Sequence, residues 1–346
     1  MLIKKNQNNI YLTPNLNNQI LIPTILPDIT FHNNNNKYFT EILLITNTTN
    51  PYDLKLWIHW HLYYAQFDKI TIIDNSNSTI IYNTCKKYDR IKYIKQSGKI
   101  SQSDIYNNYV NNSEAEWVLP IDDDEFIYLG NFKSIKELIY YTLNKNNNTF
   151  KISFDNLFLY SSSLLETRKS DENIFELFNC YCPDISKLYY DNYVTIKTMC
   201  NTTIPHYYVI DMQKFNSIKY INLNKIIGFD ISTINNDAMG NIHNPLTLNY
   251  NKNFIPAINT NYNIIQYGLY TNLIQFNNLN MPLLLHFKYK TRKEFIDKCK
   301  NNIFSDRSTE YYNICYTEQT FLNVYKLNKY FIKTNKFLNI SKNLGF

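Results

Sequence analysis

The stretch Trp117-Val118-Leu119-Pro120-Ile121-Asp122-Asp123-Asp124-Glu125-Phe126 decides how the chain is read. An apolar run, Glu116 to Ile121, has the length and composition of a buried strand. It runs straight into four carboxylates and then into a second apolar run, Phe126-Ile127-Tyr128-Leu129. Adjacent carboxylates repel one another and are costly unless something neutralises them. If extended geometry continues through the run, Asp122 and Asp124 point to one side and Asp123 and Glu125 to the other. Two same-side carboxylates at a strand end suit a hard cation, Mg²⁺ or Mn²⁺. The plain alternative is a solvated acidic turn.

Working upstream, the pattern is regular. Glu41-Ile42-Leu43-Leu44-Ile45-Thr46 and Lys69-Ile70-Thr71-Ile72-Ile73-Asp74 are short apolar runs that predict strands, and Ile91-Lys92-Tyr93-Ile94 predicts a third. Between them lie helical segments. One opens at Pro51-Tyr52-Asp53 with Leu54, Trp57, Ile58, His61 and Leu62 on one face; others span Thr79 to Tyr88 and Ser101 to Val110. The order β-α-β-α-β-α-β predicts an α/β fold with a mainly parallel, Rossmann-like central sheet. In such a sheet ligands sit at the carboxyl ends of the strands. Asp74-Asn75-Ser76 closes a strand on that same edge, where an Asp can bond a ribose or base or simply form an Asx turn.

Downstream, Ser134 to Leu143 reads as a helix and Phe150 to Tyr160 as a strand. Residues 161–285 mix short apolar runs with Asn-rich loops and resist ordering. Near the far end Leu283-Leu284-Leu285-His286-Phe287-Lys288-Tyr289-Lys290 places a histidine after an apolar strand, with a helix start at Thr291. An imidazole can complete a Mn²⁺ site, and lysines at a helix start suit phosphate oxygens. A core histidine and an ordinary basic helix cap are the plain alternatives. Helix is predicted again over 293–301 and from Glu310 to about Lys333. The expected organisation is a polar, irregular leader over 1–38, an α/β domain over 39–300 with a nucleotide-binding half (39–130) and an acceptor half (131–300), and a helical segment over 301–346.

Composition narrows the classes. The chain has 346 residues, 44% hydrophobic and 18% charged, which is enough apolar material for a core. Six Gly and ten Pro exclude collagen-like and linker proteins. The Asn-, Ile-, Lys- and Tyr-rich set reflects AT-rich codons, a genome signature of the kind carried by giant viruses and AT-rich microbes. The formal charge of +6 is spread without a block of like charges, so no nucleic-acid partner is expected. No apolar stretch approaches the roughly 20 residues of a spanning helix, and no signal-peptide core follows Met1. The six cysteines include no Cys-x-x-Cys pair, which predicts reduced thiols. A cytoplasmic protein without membrane contact is the expectation.

Four places, taken together, resemble glycosyltransferases of the family 2-like type with a GT-A fold, and are most similar to the branch that includes family 92. Leu56-Trp57-Ile58-His59-Trp60-His61-Leu62 with Phe67-Asp68 is similar to that family's Trp-Ile-x-Tyr-His helix and Gly-Phe-Asp; Gln66 stands where the family has Gly. Ile72-Ile73-Asp74-Asn75-Ser76 is similar to its Tyr-Asp-Asn-x-Ser strand end. Gln102 with Tyr106-Asn107 is similar to its Gln…Tyr-Asn helix. Trp117 to Phe126 is similar to its Trp-Val-x-x-x-Asp-x-Asp-Glu-Phe, which contains the metal-binding Asp-x-Asp. Weaker similarity continues through Ile196-Lys197 with His206, and through His286 to Thr291 with Glu294-Phe295 and Lys298.

The resemblance implies a metal-dependent enzyme of the hexosyltransferase type. It would move a sugar from a nucleotide-sugar, with a UDP-sugar as the expected donor, to a hydroxyl of a glycan or glycoprotein, with inversion. By carry-over, Asp124 binds the Mn²⁺ or Mg²⁺, Asp122 shares it or binds ribose, and His286 is the late ligand. Thr46, Asp74, Asn75 and Lys290 complete the nucleotide-sugar contacts. Asp237 and Glu172 are the candidate catalytic bases. The rival readings are a non-catalytic protein that keeps the fold and a metal-dependent phosphoryl-transfer enzyme such as a nuclease. The C-terminal segment either covers the core or serves a homodimer.

Overall fold

The computed structural model describes residues 38–145, 151–183, 279–300 and 318–346, with the strand residues 3–6, 9–12, 194–201, 257–259, 264–265 and 270–271. In the leader, strands β1 (Ile3–Asn6) and β2 (Asn9–Leu12) pair antiparallel, where the polar sequence predicts irregular chain. The expected alternation then follows: β3 (Thr40–Thr46), α1 (Pro51–His59), β4 (Lys69–Asp74), α2 (Ile80–Cys85), β5 (Ile91–Lys95), α3 (Gln102–Asn112) and β6 (Trp117–Pro120). Strand β3 pairs parallel with both β4 and β6, and β4 pairs parallel with β5, so the central order is β5-β4-β3-β6.

Alternate residues of these strands feed two cores. Ile42 and Leu44 of β3, Ile70 and Ile72 of β4, and Trp117 and Leu119 of β6 join the large core with Leu54, Trp57 and Ile81 of α1 and α2. Leu43, Ile45, Ile73 and Val118 face the other way, onto Tyr106 of α3 and Ala115. A strand covered on both faces has no polar side to show, which is why these runs are continuously apolar. The mixed α/β class with a parallel central sheet is therefore as expected.

Most later strands extend this sheet. Strand β7 (Glu125–Tyr128) leads through α4 (Ile135–Lys145) to β8 (Lys151–Phe158), followed by α5 (Ile174–Leu177) and β9 (Cys180–Tyr181). Strand β10 (Val194–Asn201) then pairs antiparallel with both β6 and β8. Of the short strands, β11 (Ala257–Asn259) pairs with β8, β12 (Ile264–Ile265) with β11, and β13 (Tyr270–Thr271) with β10. Strand β14 (Leu283–His286) lies between β7 and β8, setting His286 opposite Glu125 and Phe158. Helix α6 (Arg292–Lys300) follows.

Two further expectations fail. The acidic run does not continue a strand: β6 stops at Pro120, and Asp122 to Glu125 form a tight turn closed by Glu125 N–H on Asp122 O at 3.2 Å. The alternation of faces across the run is therefore void. The long C-terminal helix is also not one element. Helix α7 (Glu318–Tyr325) ends early, β15 (Ile332–Lys333) pairs with β9, and α8 (Lys336–Asn343) packs Phe337 and Leu338 on the core. Pairing with β9 and the stack of Phe331 on Tyr160 (4.4 Å, 14°) outweigh local helix preference there. Residues 301–317 lie outside those described. Among the described residues no helix is long and apolar enough to cross a membrane.

Helix α1 does not stop cleanly but passes into a π turn, Trp60–Tyr64, and the chain then reverses at Gln66, φ +62°. This is the one non-glycine residue with positive φ among those described, at the position where the resembling family carries Gly. A side chain in this region costs about 1–2 kcal/mol. Its return is one exposed bond, Gln66 Nε2 to Lys133 O at 3.1 Å. Gln66→Gly is thus expected to stabilise the fold by about 0.5–1 kcal/mol after the entropy of glycine is counted. A urea denaturation midpoint that moves down contradicts this.

Candidate active site at the acidic turn

The edge where β3, β4, β5 and β6 end carries the chemistry-bearing residues. Their placement starts with α1. Asn50 caps it, accepting from the N–H groups of Tyr52 and Asp53, and Pro51 fills the first turn. The helix thus begins directly after β3 and presents Trp57 to the acidic turn. The Trp57 indole N–H donates to Asp122 O at 3.1 Å and Glu125 O at 2.8 Å, spanning the turn from both ends. One turn on, Trp60 Nε1 donates to Ile127 O at 2.6 Å. His61 Nδ1 lies 2.9 Å from Trp57 O, and its Nε2 accepts from Ile127 N–H. That pairing requires a neutral ring, and burial pushes the imidazole down to about 3. Trp57→Phe keeps the bulk but strips both carbonyls of their donor. It is expected to lower stability by about 1–3 kcal/mol, read as a fall in the urea midpoint; an unchanged midpoint contradicts this role for the indole.

The three aspartates of the turn face three different partners. Asp122 Oδ1 accepts from Gln102 Nε2 at 3.0 Å and Tyr106 OH at 3.3 Å, both on α3. Its N–H is held by Glu125 Oε2 at 2.9 Å. Asp123 accepts from the Thr46 hydroxyl at the end of β3. Asp123 is half-buried, and burial together with the charge of Asp124 raises its carboxyl. Asp124 is 3% exposed. Lys298 of α6 donates to its Oδ2 at 2.5 Å, and His286 Nε2 stands 3.6 Å from its Oδ1. Burial opposes the charge on Asp124, but Lys298 and Lys290 outweigh it and hold the carboxyl well below the usual range. Burial also drives His286 down to about 3, so the ring is neutral and keeps a lone pair to give.

Asp124 Oδ1 is buried without a hydrogen-bond partner among the described residues and faces His286 Nε2, while the other ring nitrogen, Nδ1, also without one, lies 3.7 Å from Glu125 Oε1. Asp124 Oδ1 and His286 Nε2, 3.6 Å apart, are too far for a hydrogen bond but near enough to share one cation at about 2.1 Å from each. No three of His, Cys, Asp and Glu converge on a point among the described residues. A cation here would take two protein side chains and complete its shell from phosphate oxygens and water, as Mg²⁺ habitually does. The donor set fits that use.

The remaining expected residues divide. Thr46 and Asp74 are register partners on β3 and β4, so both belong to this edge. Asp74 is fully engaged inside the fold, accepting from Ser76 N–H (2.7 Å), Tyr93 OH (2.7 Å) and Lys95 Nζ (3.0 Å). Burial opposes its charge, yet these donors lower it. Asn75 donates to Gln96 O and Gly98 O, tying the end of β4 to the loop after β5. Lys290 Nζ stands 3.9 Å from Asp53, and its charge also bears on Asp123 and Asp124. Glu172 Oε2 accepts from Lys169 N–H in its own turn at 2.7 Å. Asp237 and His206 lie outside the described residues.

Two roles went unread in the sequence. Lys298, noted there only within the weaker similarity, holds Asp124. Arg168, from the loop after β8, forks onto Asp53 at the start of α1 and onto Glu294 of α6, with Nη1–Asp53 Oδ1 at 3.0 Å and Nε–Glu294 Oε1 at 3.0 Å. Glu294 and Thr291 form a reciprocal cap, Thr291 N–H to Glu294 Oε2 and Glu294 N–H to Thr291 Oγ1, both 3.2 Å. That Thr-x-x-Glu spacing was the one available signal. A separate cleft of about 300 Å³ opens at the opposite edge, where β3, β4 and β5 begin. Its Asp68 and Arg90 are spent on the fold, in bonds to Thr40, Lys136, Leu62 and Phe67.

No protein-family model and no curated protein sequence matches the chain. Among solved structures it is similar to 4-diphosphocytidyl-2C-methyl-D-erythritol synthase from Anaerococcus prevotii, with 14% identity and a TM-score of 0.28, over 53% of this chain and 78% of that one. A likeness at that level fixes neither family nor activity.

Proposed function

We propose that the chain is a divalent-metal-dependent glycosyltransferase that moves a sugar from a nucleotide-sugar, with UDP as the expected nucleotide, to a hydroxyl of a glycan or glycoprotein, with inversion. The observation that carries this reading is the buried, unsatisfied Asp124 Oδ1 facing a neutral His286 Nε2 at the carboxyl edge of a parallel sheet. A second support is convergence. Trp57, Gln102, Tyr106, Asp122, Asp124, His286 and Lys298 were singled out from segments scattered over the chain, and they meet around one turn. Gln66 adds a third, taking positive φ where the resembling family has Gly.

When bound, Mn²⁺ or Mg²⁺ supplies Lewis-acid stabilisation of the departing diphosphate. The protein's own groups do the rest. Asp124 and His286 give the two ligands. Gln102 and Tyr106 orient Asp122 so that its half-buried carboxylate can accept from a ribose hydroxyl. Thr46 takes up Asp123 and keeps that carboxylate off the donor. Lys290 and Lys298 bring positive charge to the same end of the sheet for diphosphate oxygens. An inverting reaction also needs a carboxylate to deprotonate the acceptor, and Asp237 and Glu172 stay the candidates.

The reading is tested with a nucleotide-sugar panel, with and without Mn²⁺, followed by release of nucleoside diphosphate. Metal-dependent turnover of a UDP-sugar, and a rise in melting temperature with UDP plus Mn²⁺, are expected. No turnover of any donor together with no such rise would sink it.

A further inference from the structure

We propose that Lys298 is an internal counter-cation for Asp124, one that opposes divalent-ion binding until a diphosphate arrives to take up its ammonium. The inference rests on the metal reading above and goes beyond it. Its starting point is an asymmetry in one carboxylate. Asp124 Oδ2 is taken by Lys298 Nζ at 2.5 Å, while Oδ1 is buried without a hydrogen-bond partner and faces His286 at 3.6 Å. The half that suits a cation is open, and the other half already holds a positive charge.

The two cations cannot ignore each other. A divalent ion on Oδ1 would lie within a few ångströms of the Lys298 ammonium, in a place where Asp124 is almost wholly buried. Repulsion at that range in a poorly solvated site is strong. The backbone of Lys298 cannot back away. Helix α6 is pinned by the Thr291–Glu294 cap, by Arg168 on Glu294, and by buried Phe295. Its side chain can move, because it is a flexible four-carbon stem and 35% exposed. A diphosphate on the metal would offer the displaced ammonium new anionic oxygens. Metal and diphosphate would then bind as a coupled pair, each strengthening the other by the same factor.

The test is calorimetric titration of wild type, Lys298→Gln and Lys298→Arg with Mn²⁺ alone, and again with UDP at saturation; inorganic diphosphate replaces UDP as a base-independent probe. Lys298→Gln is expected to bind Mn²⁺ alone more tightly than wild type, on the order of fivefold or more, and to lose most of the strengthening that UDP confers. Lys298→Arg, which keeps the charge, should behave like wild type in the absence of UDP. Mn²⁺ affinity in Lys298→Gln no higher than in wild type, or an undiminished UDP effect, overturns the proposal. If wild type takes up Mn²⁺ with UDP and the variant differs in nothing, only the counter-cation role falls. If wild type takes up no Mn²⁺ under either condition, the metal reading falls and this inference with it.

Discussion

Asp124→Asn is expected to remove metal-dependent sugar transfer, lowering kcat/KM by about 10³-fold or more. The substitution keeps the volume and the backbone. Asp124 O still accepts from Phe287 N–H at 2.8 Å, so the turn stays tied to the segment after β14. What goes is the charge. An amide oxygen is a poor substitute for a carboxylate as a ligand to a hard cation. Lys298 loses this partner as well, but its side chain reaches water. The loss should therefore appear in Mn²⁺-dependent UDP binding and turnover, with little change in the melting curve. Asp122→Asn should be milder, because Gln102 and Tyr106 can still hold an amide in that place. Activity within tenfold of wild type in Asp124→Asn removes Asp124 from the reaction.

Most of the sheet was legible because parallel strands must be apolar on both sides. Ile42-Leu43-Leu44-Ile45 could only be buried, and the helices between such runs fixed the parallel order. The acidic run was legible as a site but not as a shape. Alternation assumes an extended chain, and nothing in Asp122-Asp123-Asp124 announces that the turn closes on Glu125, whose carboxylate also caps Asp122 N–H. The three aspartates consequently look in three directions, and of them Asp124 meets His286, while Glu125 reaches its other ring nitrogen. Long-range partners were hidden for a different reason. Lys298 lies 174 residues from Asp124, and Arg168 lies 115 and 126 residues from its two acids. Among 35 basic residues no local pattern marks these. The C-terminal strand was hidden likewise, because Ile332 and Lys333 become a strand only against Cys180 and Tyr181.

Arg168→Met is expected to be the most destabilising single change away from the acidic turn, costing about 3–5 kcal/mol, against a typical total of about 5–15 kcal/mol. The guanidinium is 4% exposed and serves two carboxylates on separate helices. Removing it leaves Asp53, itself buried, and Glu294 facing each other with Lys290 as the nearest cation. Arg168→Lys should recover part of the loss, since one ammonium cannot fork onto both acids. Adding Asp53→Asn and Glu294→Gln to Arg168→Met should recover most of it, because the penalty is stranded charge and not lost bulk. The network also predicts an acid limb. Burial would raise Glu294, but Arg168 and Lys290 bring it down to about 2. A lowered carboxyl contributes stability that is complete above its ordinary value of 4.5 and is lost as pH falls toward 2. The unfolding free energy of wild type should therefore fall across that window, and that of the triple variant should fall less steeply. Function should follow the same network. With Arg168 gone, Lys290 is drawn onto Asp53 and Glu294 and away from the diphosphate, so KM for the donor should rise before kcat falls. A melting curve for Arg168→Met that overlays wild type, or a triple variant no more stable than the single one, would show that the buried charges are not what the clamp holds in place.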